Sequence, residues 1–401
     1  MSLEFEKVVP QIAQMGAAIA NRSVTVGEQT RAAGQQLLEL NDLDAIWEKI
    51  YLARTNDAGF RGAAPMDEPI NVGIPLPECP SVATILAADG SQIYPDTHGP
   101  VLYYLTNIGV FVYPHGSDSL PDCVTEPQLF YENQDVRNPD GRVIPNAAIN
   151  AHRAVYEMQL LARETVARRN LSRPLLSLYD GPLLGLIMGK EVPNAHELTD
   201  NYHEAMGLLH NVGAALCGYV DRPNSTFVVG TIYLMSLDPE YVTRSHLQTA
   251  GPLEGLSDRD LYQWILRPGE RCGLMVQQSP QNKNYKERSV DQEVVFFYVN
   301  VSAAYQEAYL ARVEIPMWVA TSKAMVDSVH ALVYAQCQIT DRYPYALTRA
   351  DEIAVVPSFE KRALDEMIAV ELLRNEQPVE MSQKLSTKGM ARHGREQHQG
   401  V

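Results

Sequence analysis

No run of about 18 apolar residues occurs in the 401-residue sequence, so no segment reads as a membrane-spanning helix. The five cysteines (Cys79, Cys123, Cys217, Cys272 and Cys337) are odd in number, widely spaced and form no C-x-x-C pair. Neither a disulfide framework nor a zinc site is implied; buried or bystander thiols in a reducing cytoplasm are expected. Basic residues are scarce: Lys+Arg 33 against Asp+Glu 49 gives a net charge of −16 and a pI near 5.1. A protein that merely coats phosphates should be basic, which weakens that class. An enzyme whose metal ions supply the positive charge escapes the rule. Neither G-x-x-x-x-G-K-[ST] nor G-x-G-x-x-G occurs, so a nucleotide motor or dinucleotide site is not expected. Ser81, Ser91 and Ser177 lie outside any G-x-S-x-G elbow. His203 and His210 flank Glu204 without the H-E-x-x-H spacing of zinc proteases. The start, MSLEFEKVVPQ, carries Glu4 and Glu6 and no apolar signal core, which argues for a cytoplasmic location.

What is present is a 45% hydrophobic share, enough for a real core in one large domain or two ordinary ones. Val8, Ile12, Met15 and Ile19, then Leu38, Leu43, Ile46, Trp47 and Ile50, fall at helical spacing and predict a helical arm up to about residue 54. From Asn56 to Pro80, Pro65, Pro69, Pro75, Pro77 and Pro80 with Gly59, Gly62 and Gly73 predict loop. Residues 1–80 therefore read as a helical arm and a Pro/Gly-rich linker, 81–375 as the main domain. Ala83–Ala88 and Leu175–Tyr179 read as short buried strands, and Val101–Tyr113 as one long strand or a hairpin. Pro121 to Pro145 reads as loop, Ala147–Arg169 as the clearest helix, His196–Leu216 as a helix, and Leu216–Val220 and Thr226–Tyr233 as strands. Further on, Asp258–Leu266, Lys323–Gln336, Thr348–Val355 and Phe359–Arg374 read as helices, Val294–Val301 and Tyr309–Ile315 as strands. Such a mixture suggests an α/β fold with a mixed sheet rather than a doubly wound parallel one. Residues 376–401 are polar, with Lys384, Lys388, Arg392 and Arg395, and read as a flexible tail.

Three carboxylates stand out. Asp89 and Asp180 each follow a short apolar strand and precede a glycine. On adjacent strands they could hold divalent metals about 3.5–4 Å apart, an arrangement used for phosphodiester cleavage. Glycine there would let the backbone turn sharply or pass close to a substrate. Asp-Gly after a strand is equally an ordinary turn. Glu157 lies in the clearest helix, four residues after Arg153, a spacing that a helical ion pair explains equally well. Arg163, Arg168 and Arg169 on that helix are candidate phosphate contacts or solvated side chains.

The order of these pieces resembles the NurA nuclease family, from Ala83 to about Val356. The resemblance rests on Ala88-Asp89-Gly90-Ser91, the Arg153-x-x-x-Glu157 helix and Tyr179-Asp180-Gly181-Pro182-Leu183. It continues through Gly218-Tyr-Val-Asp-Arg-Pro-Asn-Ser225, Asp258-Arg-Asp-Leu261, Pro268-Gly-Glu-Arg271, Ala311-Arg-Val-Glu-Ile-Pro-Met-Trp318 and Tyr343-Pro-Tyr-Ala-Leu347 to Ala350-Asp351. The resemblance implies a ribonuclease-H-like mixed sheet with flanking helices. It implies a manganese-dependent deoxyribonuclease, usually dimeric, working with a HerA-type hexameric ATPase in DNA end resection, repair or phage defence. Asp89, Glu157, Asp180 and Asp351 would be metal ligands for Mn²⁺ or Mg²⁺ in a two-metal site, and Tyr343 a phosphate or substrate contact. Asp351 stands where the family has histidine, and Pro182 where it has serine. An oxygen ligand at 351 suits a hard cation, but four carboxylates cancel the charge of two divalent ions and attract the phosphate less. Lys190 and Lys323 are candidate transition-state cations, and Tyr94, Tyr113 and Tyr179 candidate base-stacking side chains. A non-catalytic DNA-binding adaptor of the same fold is the alternative reading, and a hydrolase of a small phosphorylated substrate the third.

Overall fold

Asp42 shows how local chemistry sets the first elements. Its side chain accepts a hydrogen bond from the Ala45 N–H and caps the helix Leu43–Asn56, which buries Ile46, Ile50 and Ala53. A longer helix, Phe5–Glu39, precedes it and buries Ala33 and Leu37 near its end. The computed structural model describes residues 4–185 and 192–377. The expected polar tail falls almost wholly outside the described residues, as does Lys190.

Nine strands occur among the described residues: β1 Gly62–Pro65, β2 Ala83–Ile93, β3 Tyr104–His115, β4 Asp122–Phe130, β5 Leu175–Asp180, β6 Ala215–Val220, β7 Met275–Gln278, β8 Val294–Asn300 and β9 Leu310–Pro316. The chain divides into two compact units. One comprises residues 1–81, 181–184 and 215–345. Its strands run in the order β1-β7-β8-β9-β6, every pair antiparallel. β8 and β9 are buried on both faces, and Phe296, Phe297, Tyr298, Val313 and Ile315 form the centre of that core.

The other unit comprises residues 82–180, 185–214 and 346–401. Its strand order is β5-β2-β3-β4. β2, β3 and β4 form an antiparallel meander, and β5 adds to β2 in parallel, from Thr84↔Leu175 to Ala88↔Tyr179. A parallel neighbour needs a long crossover, and the helix Asn146–Ala167 supplies it. That helix buries Ile149, Val155, Met158 and Leu161 and packs on β2, β3, β5 and the helix Ala195–Asn211. A meander extended by a parallel strand after a helical crossover is the ribonuclease-H-like arrangement, so the mixed α/β expectation holds.

Several local expectations are corrected. β2 does not end at Asp89 but continues to Ile93, paired with β3 throughout. Val101–Tyr113 contains no hairpin: β3 is one strand of 12 residues. The stretch read as loop after Pro121 contains β4, an exposed edge strand that accommodates Pro127 opposite Asn107. The linker read as loop contains β1, paired with β7. Thr226–Tyr233 is not a strand; Phe227–Ser236 is a helix. No helix among the described residues is long and apolar enough to cross a membrane.

Candidate active site

The parallel register of β2 and β5 decides where the first two carboxylates stand. Ala88 pairs with Tyr179, so Asp89 and Asp180 follow side by side on neighbouring strands. Asp89 is 8% exposed, and its Oδ1 accepts the Gly90 N–H at 2.7 Å. Glu157, on the inner face of the crossover helix, is 2% exposed. Gly90 lets that helix approach: a Cβ there would lie 2.5 Å from Glu157 Oε1 and 2.8 Å from Ile108 Cδ1. The glycine thus serves close packing within a continuing strand and not a turn. Gly181 is the true turn, with φ +108°.

Asp351 comes from the helix Tyr345–Ala354 and is exposed. Ser91 Oγ and Asn107 Nδ2 both donate to Ala354 O, at 2.5 and 2.8 Å, tying that helix to β2 and β3. Gly109, opposite Asp89 in register, makes room for it: a Cβ would meet Ile353 Cγ1 at 2.7 Å. Asp89, Glu157, Asp180 and Asp351 all belong to this unit. Tyr343 belongs to the other, where it packs edge-to-face on Tyr219 with centroids 5.3 Å apart.

Sequence spacing gave Arg153 the part of an ordinary ion-pair partner, and the structure gives it more. Its Nη1 donates to Gly90 O at 2.6 Å and lies 2.9 Å from Glu157 Oε1 and 3.8 Å from Asp89 Oδ1. The Glu157 contact lacks hydrogen-bond alignment, so Oε1 is buried without a hydrogen-bond partner, as is Arg153 Nε. Tyr179, 5% exposed, hydrogen-bonds Glu157 and is too buried to stack on a base. Only its place before Asp180 could have signalled that role.

Burial pushes the Asp89 carboxyl up to about 6, helped by the adjacent charge of Asp180 and, less, of Asp351; the Gly90 N–H and Arg153 oppose the rise. Burial pushes Glu157 further, to about 8; Arg153 and the Tyr179 hydrogen bond oppose it, while Asp89 and Asp180 add to it. Among the described residues, no three Asp, Glu, His or Cys side chains converge into a ready cation cage. The donor chemistry nevertheless fits a hard divalent cation. All four groups are carboxylates, two are buried against their own repulsion, and one buried oxygen lacks a hydrogen-bond partner.

The remaining candidates have other occupations. Lys323 is exposed and pairs with Asp327 at 2.5 Å in the other unit. Arg163 and Arg168 pair with Glu126 and Asp122 of β4, strapping the edge strand to the crossover helix. Tyr94 donates to Asn150 Oδ1 at 2.7 Å, and Tyr113 lies tilted beside His115.

Residues 83–356 match the NurA domain. Among solved structures, the crystal structure of the NurA nuclease from Sulfolobus solfataricus aligns with TM-score 0.55 at 10% identity, covering 92% of this chain and 98% of that one. The crystal structure of human ENDOV aligns with TM-score 0.31 at 12% identity, covering 72% and 86%, too distant for comparison. No curated protein sequence matches.

Proposed function

The chain belongs to the NurA family, and on that premise we propose that it is a divalent-cation-dependent DNA nuclease. The observation that carries this reading is the β2–β5 register, which sets Asp89 beside Asp180 next to the buried Glu157. In the proposed site, Asp89, Glu157, Asp180 and Asp351 hold Mn²⁺ or Mg²⁺ through oxygen, the ligand both ions favour. Cations so bound would supply Lewis-acid activation of water and charge for the leaving 3′ oxygen. The protein's own part is positional. β2 and β5 fix two carboxylates on a rigid sheet, the crossover helix lowers a third onto them, and burial keeps bulk water from Glu157. Tyr343 is proposed as a phosphate contact.

DNA as substrate, a HerA-type hexameric ATPase as partner, a homodimer and a role in DNA end processing or phage defence in the cytoplasm complete the proposal; the family supports them. A second reading, a DNA-binding adaptor with little or no activity, is favoured by the two departures from the family pattern, Asp351 in place of histidine and Pro182 in place of serine. End-labelled single- and double-stranded DNA, incubated with Mn²⁺, Mg²⁺ or EDTA, separates the two. Cleavage that requires the cation and drops at least about 100-fold in Asp180→Ala is the nuclease result. Intact DNA in every cation, with the ATPase and ATP present, leaves the adaptor.

A further inference from the structure

One nitrogen, Arg153 Nη1, donates to Gly90 O at 2.6 Å and lies at ion-pair distance from two carboxylates, Glu157 Oε1 at 2.9 Å and Asp89 Oδ1 at 3.8 Å. We propose that Arg153 is the built-in counter-ion of this site, holding Asp89 and Glu157 while no cation is bound and yielding them when one enters. The inference rests on the reading of these carboxylates as cation ligands.

Three observations carry it. Among the described residues, the guanidinium is the positive charge that lies against both carboxylates, at Asp89 Oδ1 and Glu157 Oε1. A divalent ion within about 4 Å of a guanidinium meets strong like-charge repulsion at low dielectric, so the two compete for the same oxygens. Secondly, the seat is an imperfect one. Glu157 Oε1 and Arg153 Nε are both buried without a hydrogen-bond partner, although the ion pair is short. An arginine selected only to clamp Glu157 would be expected in the aligned, bidentate geometry that makes such pairs strong. Thirdly, the exits differ. The Arg153 side chain is 28% exposed, against 3% for Glu157 and 12% for Asp89, so the arginine has a route to solvent that its partners lack.

The test is Mn²⁺ binding to the full-length protein without DNA, at mildly alkaline pH, read by titration calorimetry and by the electron paramagnetic resonance signal of free Mn²⁺. Wild type, Arg153→Met and Arg153→Lys are compared, with circular dichroism melts as the fold control. Removing a like charge at this range is worth a pK unit or more, so Arg153→Met is expected to bind Mn²⁺ about tenfold more tightly, with Arg153→Lys between the two. A clamp that only positions Glu157 predicts the opposite, because its loss would loosen a ligand. Unchanged or weaker binding in Arg153→Met, with wild type still binding, overturns the counter-ion role alone. No Mn²⁺ binding in any of the proteins overturns the carboxylate site itself. Should Arg153→Met not fold, phenylglyoxal modification of wild type, mapped by mass spectrometry, decides. Mn²⁺ should speed modification of Arg153 as it leaves the carboxylates; slower or unchanged modification overturns the proposal.

Discussion

At the scale of single residues, the site stores a conflict: carboxylates are placed together and partly out of water before any cation neutralises them. That conflict sets a pH dependence whose sign can be worked out. Without cations, the folded protein holds protons on Asp89 up to about 6 and on Glu157 up to about 8, against ordinary values of 3.8 and 4.5. Over that window the folded state binds more protons than the unfolded one, so stability falls as pH rises through it. A bound cation favours the ionised forms and should remove or reverse the slope. Urea midpoints measured from mildly acidic to mildly alkaline pH, in EDTA and in saturating Mn²⁺, check this. Equal slopes in the two conditions would mean that these carboxylates do not meet the cation. Asp89 and Asp180 stood out as candidates because each follows an apolar run, yet they read equally as turns, and Glu157 read equally as the ion-pair partner of Arg153; only the resemblance joined the three into one proposed site. The role of Gly90 was not readable. An Asp-Gly pair reads as a turn, and only the packed helix shows that the missing Cβ makes room for Glu157 and Ile108.

At the scale of elements, the helix Phe227–Ser236 shows why local pattern can mislead. Its sequence is so apolar throughout that neither alternation nor a helical stripe stands out, and it buries Val228, Val229, Thr231, Ile232, Tyr233 and Leu234. What makes it a helix comes from elsewhere in the chain. Asp258 accepts the N–H groups of Phe227, Val228 and Val229, each at 2.9 Å, together with the Tyr298 hydroxyl at 2.6 Å. A carboxylate with four donors is a cap supplied by a residue 31 positions from the helix start. Asp258→Asn would turn one oxygen into a donor facing donors, inside the core. A loss of about 2–4 kcal/mol in unfolding free energy is expected. If chemical denaturation shows less than about 0.5 kcal/mol, the cap is not what holds the helix. The same logic explains β4. Pro121 and Pro127 argue locally for loop, but an edge strand leaves one side of its backbone unpaired, and the Arg163 and Arg168 ion pairs fasten it from the crossover helix.

At the scale of the whole molecule, charge and apolar surface point to different partners. A net charge of −16 leaves little general attraction for DNA, so in the proposed nuclease affinity for DNA would have to come from the bound cation and from local basic side chains. The same net charge disfavours self-association, which makes a large exposed apolar stripe the more informative. Phe5, Val9, Ile12, Met15 and Ile19 are each more than half exposed along one helix, although Ala33 and Leu37 of that helix are buried. Phe5, Ile12 and Ile19 recur every seven residues with Val9 and Met15 between them, the spacing of a seam that pairs with another helix. In the proposed homodimer this stripe is the natural contact, helix against helix from two copies. Deleting residues 1–20 tests it cleanly, because none of the side chains described there is buried. Stability of the body should change by less than about 0.5 kcal/mol. Light scattering should show the full chain as a dimer and the truncated chain as a monomer. A truncated protein that remains dimeric would move the contact elsewhere, and a monomeric full chain would remove the dimer from the proposal. A stripe that served the body's own fold would instead be betrayed by a lower melting temperature on truncation, with no change in mass per particle beyond the residues removed.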